Sequence, residues 1–170
     1  TTLKADKAMT EAFLNAEPTL RLAAFLGVLI ILVLWEVATP RRRRDIPRVI
    51  RWTNNIALVV FDTVILRLTF PILAVGLAVI AEEQGWGLFN ILDVSIGLSI
   101  VASMLLLDLA IYLQHVMFHA VPGLWRLHRT HHADLDFDAT TGLRFHPVEI
   151  LISMGIKLPV VAALGPPAIA

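Results

Sequence analysis

Ile96-Gly-Leu-Ser-Ile-Val-Ala-Ser-Met-Leu-Leu-Leu-Asp108-Leu-Ala-Ile-Tyr112-Leu-Gln-His115-Val-Met-Phe-His119 carries two signals in one stretch. Ile96 to Leu113 is an apolar run whose single charge is Asp108. With its flanks it approaches the roughly 20 residues that a helix needs to cross a bilayer. His115 and His119 follow, four residues apart, a spacing that puts both imidazoles on one face of the same helix. Asp108 and Tyr112 precede His115 at helical spacings and lie near the same stripe. The stretch predicts a membrane helix that runs past the bilayer and presents two imidazoles at the surface.

Further along, Pro122-Gly123 breaks the helix and Leu124-Trp125-Arg126-Leu127 restarts one, with Trp125 suited to the interface. His128, His131 and His132 then fall at i, i+3 and i+4, again on one face. The sixth and last histidine, His146, precedes Pro147. Imidazole is the commonest protein metal ligand near neutral pH. HxxxH alone is a weak signal, but HxxxH followed nine residues later by HxxHH is not a casual pattern. The zinc-protease motif HExxH is absent, because Val116 stands where its glutamate would be. Five histidines exceed the three or four protein ligands of a usual zinc site and fit two metals better. Iron suits an all-imidazole set with open positions for oxygen chemistry.

Composition puts this pattern in a membrane. The chain of 170 residues is 57% hydrophobic and 16% charged, with a mean hydropathy of +0.75. Soluble domains run at about 45–50% apolar and about 25% charged. There are no cysteines, which excludes disulfides, thiolate zinc sites and iron–sulfur clusters.

Four apolar segments follow in order: Leu20 to Ala38, Ile56 to Ala81, Ile96 to Leu113, and Val148 to Ala170. Residues 1–19 read as an N-terminal segment without the features of a signal peptide, and 20–170 as the membrane domain. The second segment is interrupted by Asp62, Arg67 and Pro71, and predicts a kinked span or, as an alternative, a broken pair of half-helices. Between the first two lie six arginines within residues 41–51. A basic patch for nucleic acid or lipid headgroups is one reading. A topology signal fits better, because short cytoplasmic loops are rich in Lys and Arg. Counting from that loop, the histidines emerge on the cytoplasmic face. The predicted fold is all-α: a multi-pass membrane bundle of about four segments with a cytoplasmic, histidine-bearing helical cap.

The tract from Asp108 to Glu149 resembles the fatty acid hydroxylase superfamily, also called the sterol desaturase family, and its bacterial members in particular. The match rests on His115-x-x-x-His119, on His128-x-x-His131-His132, on Thr140-Thr-Gly-Leu-Arg-Phe-His-Pro-Val-Glu149, and on the arginine loop leading into Arg51-Trp52-Thr53-Asn54-Asn55. The resemblance implies a non-haem di-iron oxygenase, a hydroxylase or desaturase of lipid or sterol C–H bonds in the bacterial inner membrane. It implies O2 as co-substrate, a separate electron donor and two iron ions held by His115, His119, His128, His131 and His132. No nucleic-acid partner and no further cofactor are expected. The family carries further histidine boxes downstream, and the chain stops at Ala170 inside an apolar run. The expectation is therefore a C-terminally truncated piece that alone holds metal poorly and is inactive.

Other roles stay open at this level. His146 is a ligand, a hydrogen-bonding neighbour of one, or a structural cap. Asp108 is the candidate carboxylate partner for a ligating imidazole, since such imidazoles donate their other N–H to a carboxylate or carbonyl. Asp134, Asp136 and Asp138 read as a solvated acidic loop rather than as ligands, and Arg144 as a partner for one of them or for a headgroup. The competing function is a membrane metal-binding or metal-transport protein without oxidase activity. The scattered charges within the spans disfavour that reading.

Overall fold

The computed structural model describes residues 2–40, 43, 45–92 and 94–168, and for residues 2–15 and 17 the backbone alone. All regular structure among them is helical. In chain order it comprises α1 (Thr2–Ala38), α2 (Arg48–Thr69), α3 (Ala74–Gln84), α4 (Leu88–Ile91), α5 (Ile96–Ala120), α6 (Pro122–His132), a 3-10 turn (Ala139–Leu143) and α7 (Pro147–Leu164).

Prolines set three of the breaks. A proline ring clashes with a helical conformation of the preceding residue, and its own fixed φ suits the first position of a new helix. Phe70, Val121 and His146, which precede Pro71, Pro122 and Pro147, are all extended, with ψ of 98°, 117° and 135°. Helices α6 and α7 both begin on the proline itself. The second apolar segment is broken rather than bent: α2 ends at Thr69 and α3 resumes at Ala74. Helix α1 runs through Pro18, so the boundary expected at residue 19 is not a break in secondary structure.

Among the described residues, four stretches are long and apolar enough to cross a membrane: Pro18–Ala38, Arg48–Ile91, Ile96–Ala120 and Pro147–Leu164. Helix α7 is central, packing on α2, α3, α5 and α6 and touching α4. Gln114 of α5 donates to Ser153 of α7 at 2.9 Å. Where α4 meets the end of α7 the two backbones touch at Gly87 and Gly165, whose φ values are +88° and +59°. A Cβ on Gly87 would strike the Gly165 backbone, and one on Gly165 would strike the Trp86 carbonyl.

Burial is inverted relative to a soluble protein. Among the described residues the buried apolar side chains are few (Ala78, Ala81, Phe89, Phe118 and Val161), whereas Leu68, Leu98, Met104 and Leu105 are exposed. With lipid as solvent, apolar surface gains nothing by hiding, and polar groups gather inside. Those polar groups concentrate at the end of the bundle where α2 begins and α5 ends.

Candidate metal centre

Helix α5 ends with His115 and His119 on one face, and the turn at Val121-Pro122 folds α6 back against it. The imidazoles of His115, His119, His128 and His132 converge there. One ring nitrogen from each lies within 4.8 Å of all the others. Ring centroids are 4.6 Å apart for His115–His128, 4.7 Å for His115–His119 and 5.0 Å for both His119–His132 and His128–His132. His128 is buried, and the other three open to one side.

Glu149, in the first turn of α7, accepts from His128 Nδ1 at 2.6 Å. That hydrogen bond leaves Nε2 of His128 with its lone pair, facing His132 Nε2 at 3.2 Å. A proton or a metal ion must lie between two such nitrogens. Nitrogens that share one metal at about 2.1 Å lie roughly 3.0–3.4 Å apart, so the spacing fits a shared ion. Two buried atoms beside the cluster, His131 Nδ1 and Glu149 Oε2, have no hydrogen-bond partner. Buried polar atoms without partners call for an ion or water. The residues present therefore fit a metal.

His131 lies beside the four, its ring 5.1 Å from that of His132 and 5.7 Å from that of His128, but its nitrogens are not among those that converge. Its ring stacks on Phe145 at 4.9 Å, with an interplanar angle of 5°. His146 caps α7, its Nδ1 accepting from the Val148 N–H at 3.1 Å. Trp125 lies against the cluster, 5.1 Å from His119 and 5.5 Å from His132. Burial pushes the imidazoles of His128, His131 and His132 below their ordinary value, and the neighbouring histidines add to the effect. They are neutral at physiological pH, the form that binds metal.

The carboxylate on His128 is Glu149, which sequence reasoning passed over. Asp108 is exposed on α5 and makes no hydrogen bond to a histidine among the described residues. The signal for Glu149 was its place two residues after a helix-opening proline, beside His146.

The acidic loop is not solvated, contrary to expectation. Asp134 and Asp138 take the Arg51 guanidinium between them: Nε and Nη2 donate to Asp134 at 2.9 and 2.7 Å, and Nη1 to Asp138 at 2.8 Å. Asp136 accepts the backbone N–H groups of Asp45 and Ile46 at 2.9 and 2.8 Å. Asn55 donates to Thr140 at 2.9 Å, and the Ala139 N–H reaches Glu36 of α1 at 3.0 Å. The aspartates fall on every second residue of a bent segment and turn inward, while Leu135 and Phe137 face out, 73% and 66% exposed. Arg51, counted with the loop arginines in the sequence, is buried in this clamp, which fixes the segment after α6 to α1 and α2. Arg144 is not part of it, and its Nε is buried without a partner.

Fold and cluster together define a class: a helical membrane protein whose gathered imidazoles fit a metal ion. Residues 100–170 match the family model described as Fatty acid hydroxylase. That region holds the whole histidine cluster and Glu149, and through it this part of the chain is similar to fatty acid hydroxylases. No curated protein and no solved structure matches the chain. The match points to membrane hydroxylase or desaturase chemistry.

Proposed function

We propose that residues 20–170 form the membrane domain of a non-haem di-iron oxygenase that hydroxylates or desaturates a C–H bond of a lipid or sterol. The observation that carries this reading is the convergence of four ring nitrogens from α5 and α6, with Glu149 orienting one of them. His115, His119, His128 and His132 hold iron, and His131, with its unpartnered Nδ1, serves a second ion. His146 keeps only Nε2 for a ligand, because Nδ1 caps α7.

Iron in an imidazole site with open positions supplies O2-dependent oxidation of unactivated C–H bonds. The chain's own residues prepare that chemistry. Glu149 fixes the tautomer of His128 and raises its basicity. Trp125 packs its ring against His119 and His132. The clamp on Arg51 holds α6 against the bundle, so that histidines on two helices keep one geometry. The arginine-rich sequence before α2 supports a cytoplasmic position for this end, where a separate electron donor would reach it while the substrate comes from the bilayer.

The test is iron content and lipid oxidation by the full-length protein in nanodiscs, with mass spectrometry of the lipids. His128→Ala and His132→Ala are expected to lose iron and all oxygen-dependent product. Unchanged iron content in both would remove them as ligands and the reading with them.

A further inference from the structure

The chain is neutral as a whole, but folding separates its charges at the histidine end. Asp136, Asp138 and Glu149 are buried, and the side chain of Asp134 is only 3% exposed. Arg51 is buried with them. In the described segments 43, 45–52 and 114–149, the charged side chains left exposed are Arg43, Asp45, Arg126 and Arg129. The carboxylates have gone inside, and the surface that remains is cationic.

Arg126 and Arg129 lie on α6, three residues apart and so on one face. Arg129 also follows Trp125 by four residues and precedes His132 by three, which makes it the surface neighbour of both. Neither arginine forms an ion pair among the described residues. Trp125 is 36% exposed, and its ring lies against those of His119 and His132. The strip Arg126, Arg129, Trp125 therefore leads from the outer surface to the edge of the clustered imidazoles. Its depth is set by His119, six residues past the end of the apolar run at Leu113, about 9 Å of helix. The headgroup layer beyond the hydrocarbon is about 5–8 Å deep on each side. Trp125 and the adjoining Arg126 stand level with His119, where a water-soluble protein reaches them.

We propose that this strip is the docking surface for an acidic, water-soluble protein that carries one electron at a time. That the partner is an electron carrier rests on the function proposed above. Hydroxylation consumes one O2, two protons and two electrons, and turns a C–H bond into C–OH with release of water. Desaturation draws the same two electrons and releases a second water. The reduced carrier must therefore bind, pass one electron to the metal centre and leave oxidised, twice in each turnover. Exchange of this kind is served by small, salt-sensitive contacts in which opposite charge speeds the encounter. Exposed guanidiniums beside one aromatic ring supply such a contact. An anionic bilayer is the other surface that arginines recognise, and the position of Arg126 beyond the headgroups favours the protein.

The binding test uses the full-length protein in nanodiscs of phosphatidylcholine without added metal. The probes are an acidic plant-type ferredoxin and, as the control of opposite sign, the basic protein cytochrome c. Saturable ferredoxin binding that weakens as salt is raised is expected, with none for cytochrome c. Replacing both Arg126→Gln and Arg129→Gln is expected to weaken it about tenfold, and the pair Arg126→Lys and Arg129→Lys to restore most of it. In the iron-loaded protein the glutamine pair should slow reduction by ferredoxin about tenfold and leave reduction by dithionite unchanged. No saturable binding, or equal binding by the glutamine pair, overturns the proposal. If the glutamine pair instead loses co-purified anionic phospholipid, the arginines serve lipid. The salt dependence in the unmodified protein stands whatever the substitutions do to folding. The two readings fail separately. Iron and lipid oxidation without ferredoxin binding removes the docking surface alone. Ferredoxin binding by a protein that takes up no iron removes the oxygenase and leaves a surface for an acidic protein.

Discussion

Glu149 decides which nitrogen of His128 is free, and that makes it the residue whose loss should be most specific. Glu149→Gln keeps an acceptor and removes the charge; Glu149→Leu removes both. Iron affinity, read by competition with a chelator, is expected to fall about tenfold in the first and about 100-fold in the second. Equal affinities in all three proteins would leave Glu149 a packing residue. Arg51 is the other decisive position. Arg51→Leu strands two buried carboxylates, which costs about 3–5 kcal/mol, measurable as a shift in the SDS unfolding midpoint. The same clamp gives a pH dependence. Burial pushes the carboxyls of Asp134 and Asp138 up. Hydrogen bonds from Arg51, Thr141, Thr140 and Trp52, with the Arg51 charge, more than offset it. Both fold with values below the ordinary 3.8. Their contribution is complete above that value and is lost as pH falls through the depressed ones. Unfolding midpoints measured from pH 7 down to pH 3 should hold steady and then drop below about pH 4.

At the scale of elements, what was legible in the sequence had a local cause. Apolar runs gave the spans. The i, i+3, i+4 spacing gave the faces of α5 and α6, and prolines marked the break before α6 and the start of α7. The choice between a kink and a break at Pro71 was not legible, because it depends on both halves finding partners, and α2 and α3 each pack on α7. The clamp was equally hidden, since it joins residues more than 80 positions apart. Its trace was a two-residue alternation of aspartates, with Arg51 and Asn55 in the polar first turns of α2 as their counterpart. The joint between α4 and α7 makes its own prediction. Gly165→Ala demands a left-handed alanine and a displaced neighbour, a loss of about 1–3 kcal/mol from conformation alone. The thermal midpoint should fall clearly, whereas Gly27→Ala, with open space around it, should leave it in place.

For the whole molecule, the prediction concerns sidedness. The Arg51–Asp134 pair ties the arginine end of α2 to the histidine end of α5 and α6, so both lie on one side of the bilayer. The chain lacks cysteine, which makes single introduced thiols clean reporters. Arg43→Cys and Arg126→Cys should react with an impermeant maleimide from the cytoplasmic side only, and Trp86→Cys from the opposite side only. Labelling of residues 43 and 126 from opposite faces would contradict the packing itself. Labelling of both from the outer face would reverse the orientation and keep the fold.

The clamp also sets an order of assembly during synthesis. Arg51 leaves the ribosome 83 residues ahead of Asp134. At roughly 5–20 residues per second that is about 4–17 s in which its guanidinium has no carboxylate to meet. Helices α1 to α5 must therefore enter the membrane before the cation at the head of α2 is neutralised by this loop. Closing the loop on Arg51 then secures the helix that brings the last two clustered histidines, so the metal centre is completed only after α1 to α5 are inserted.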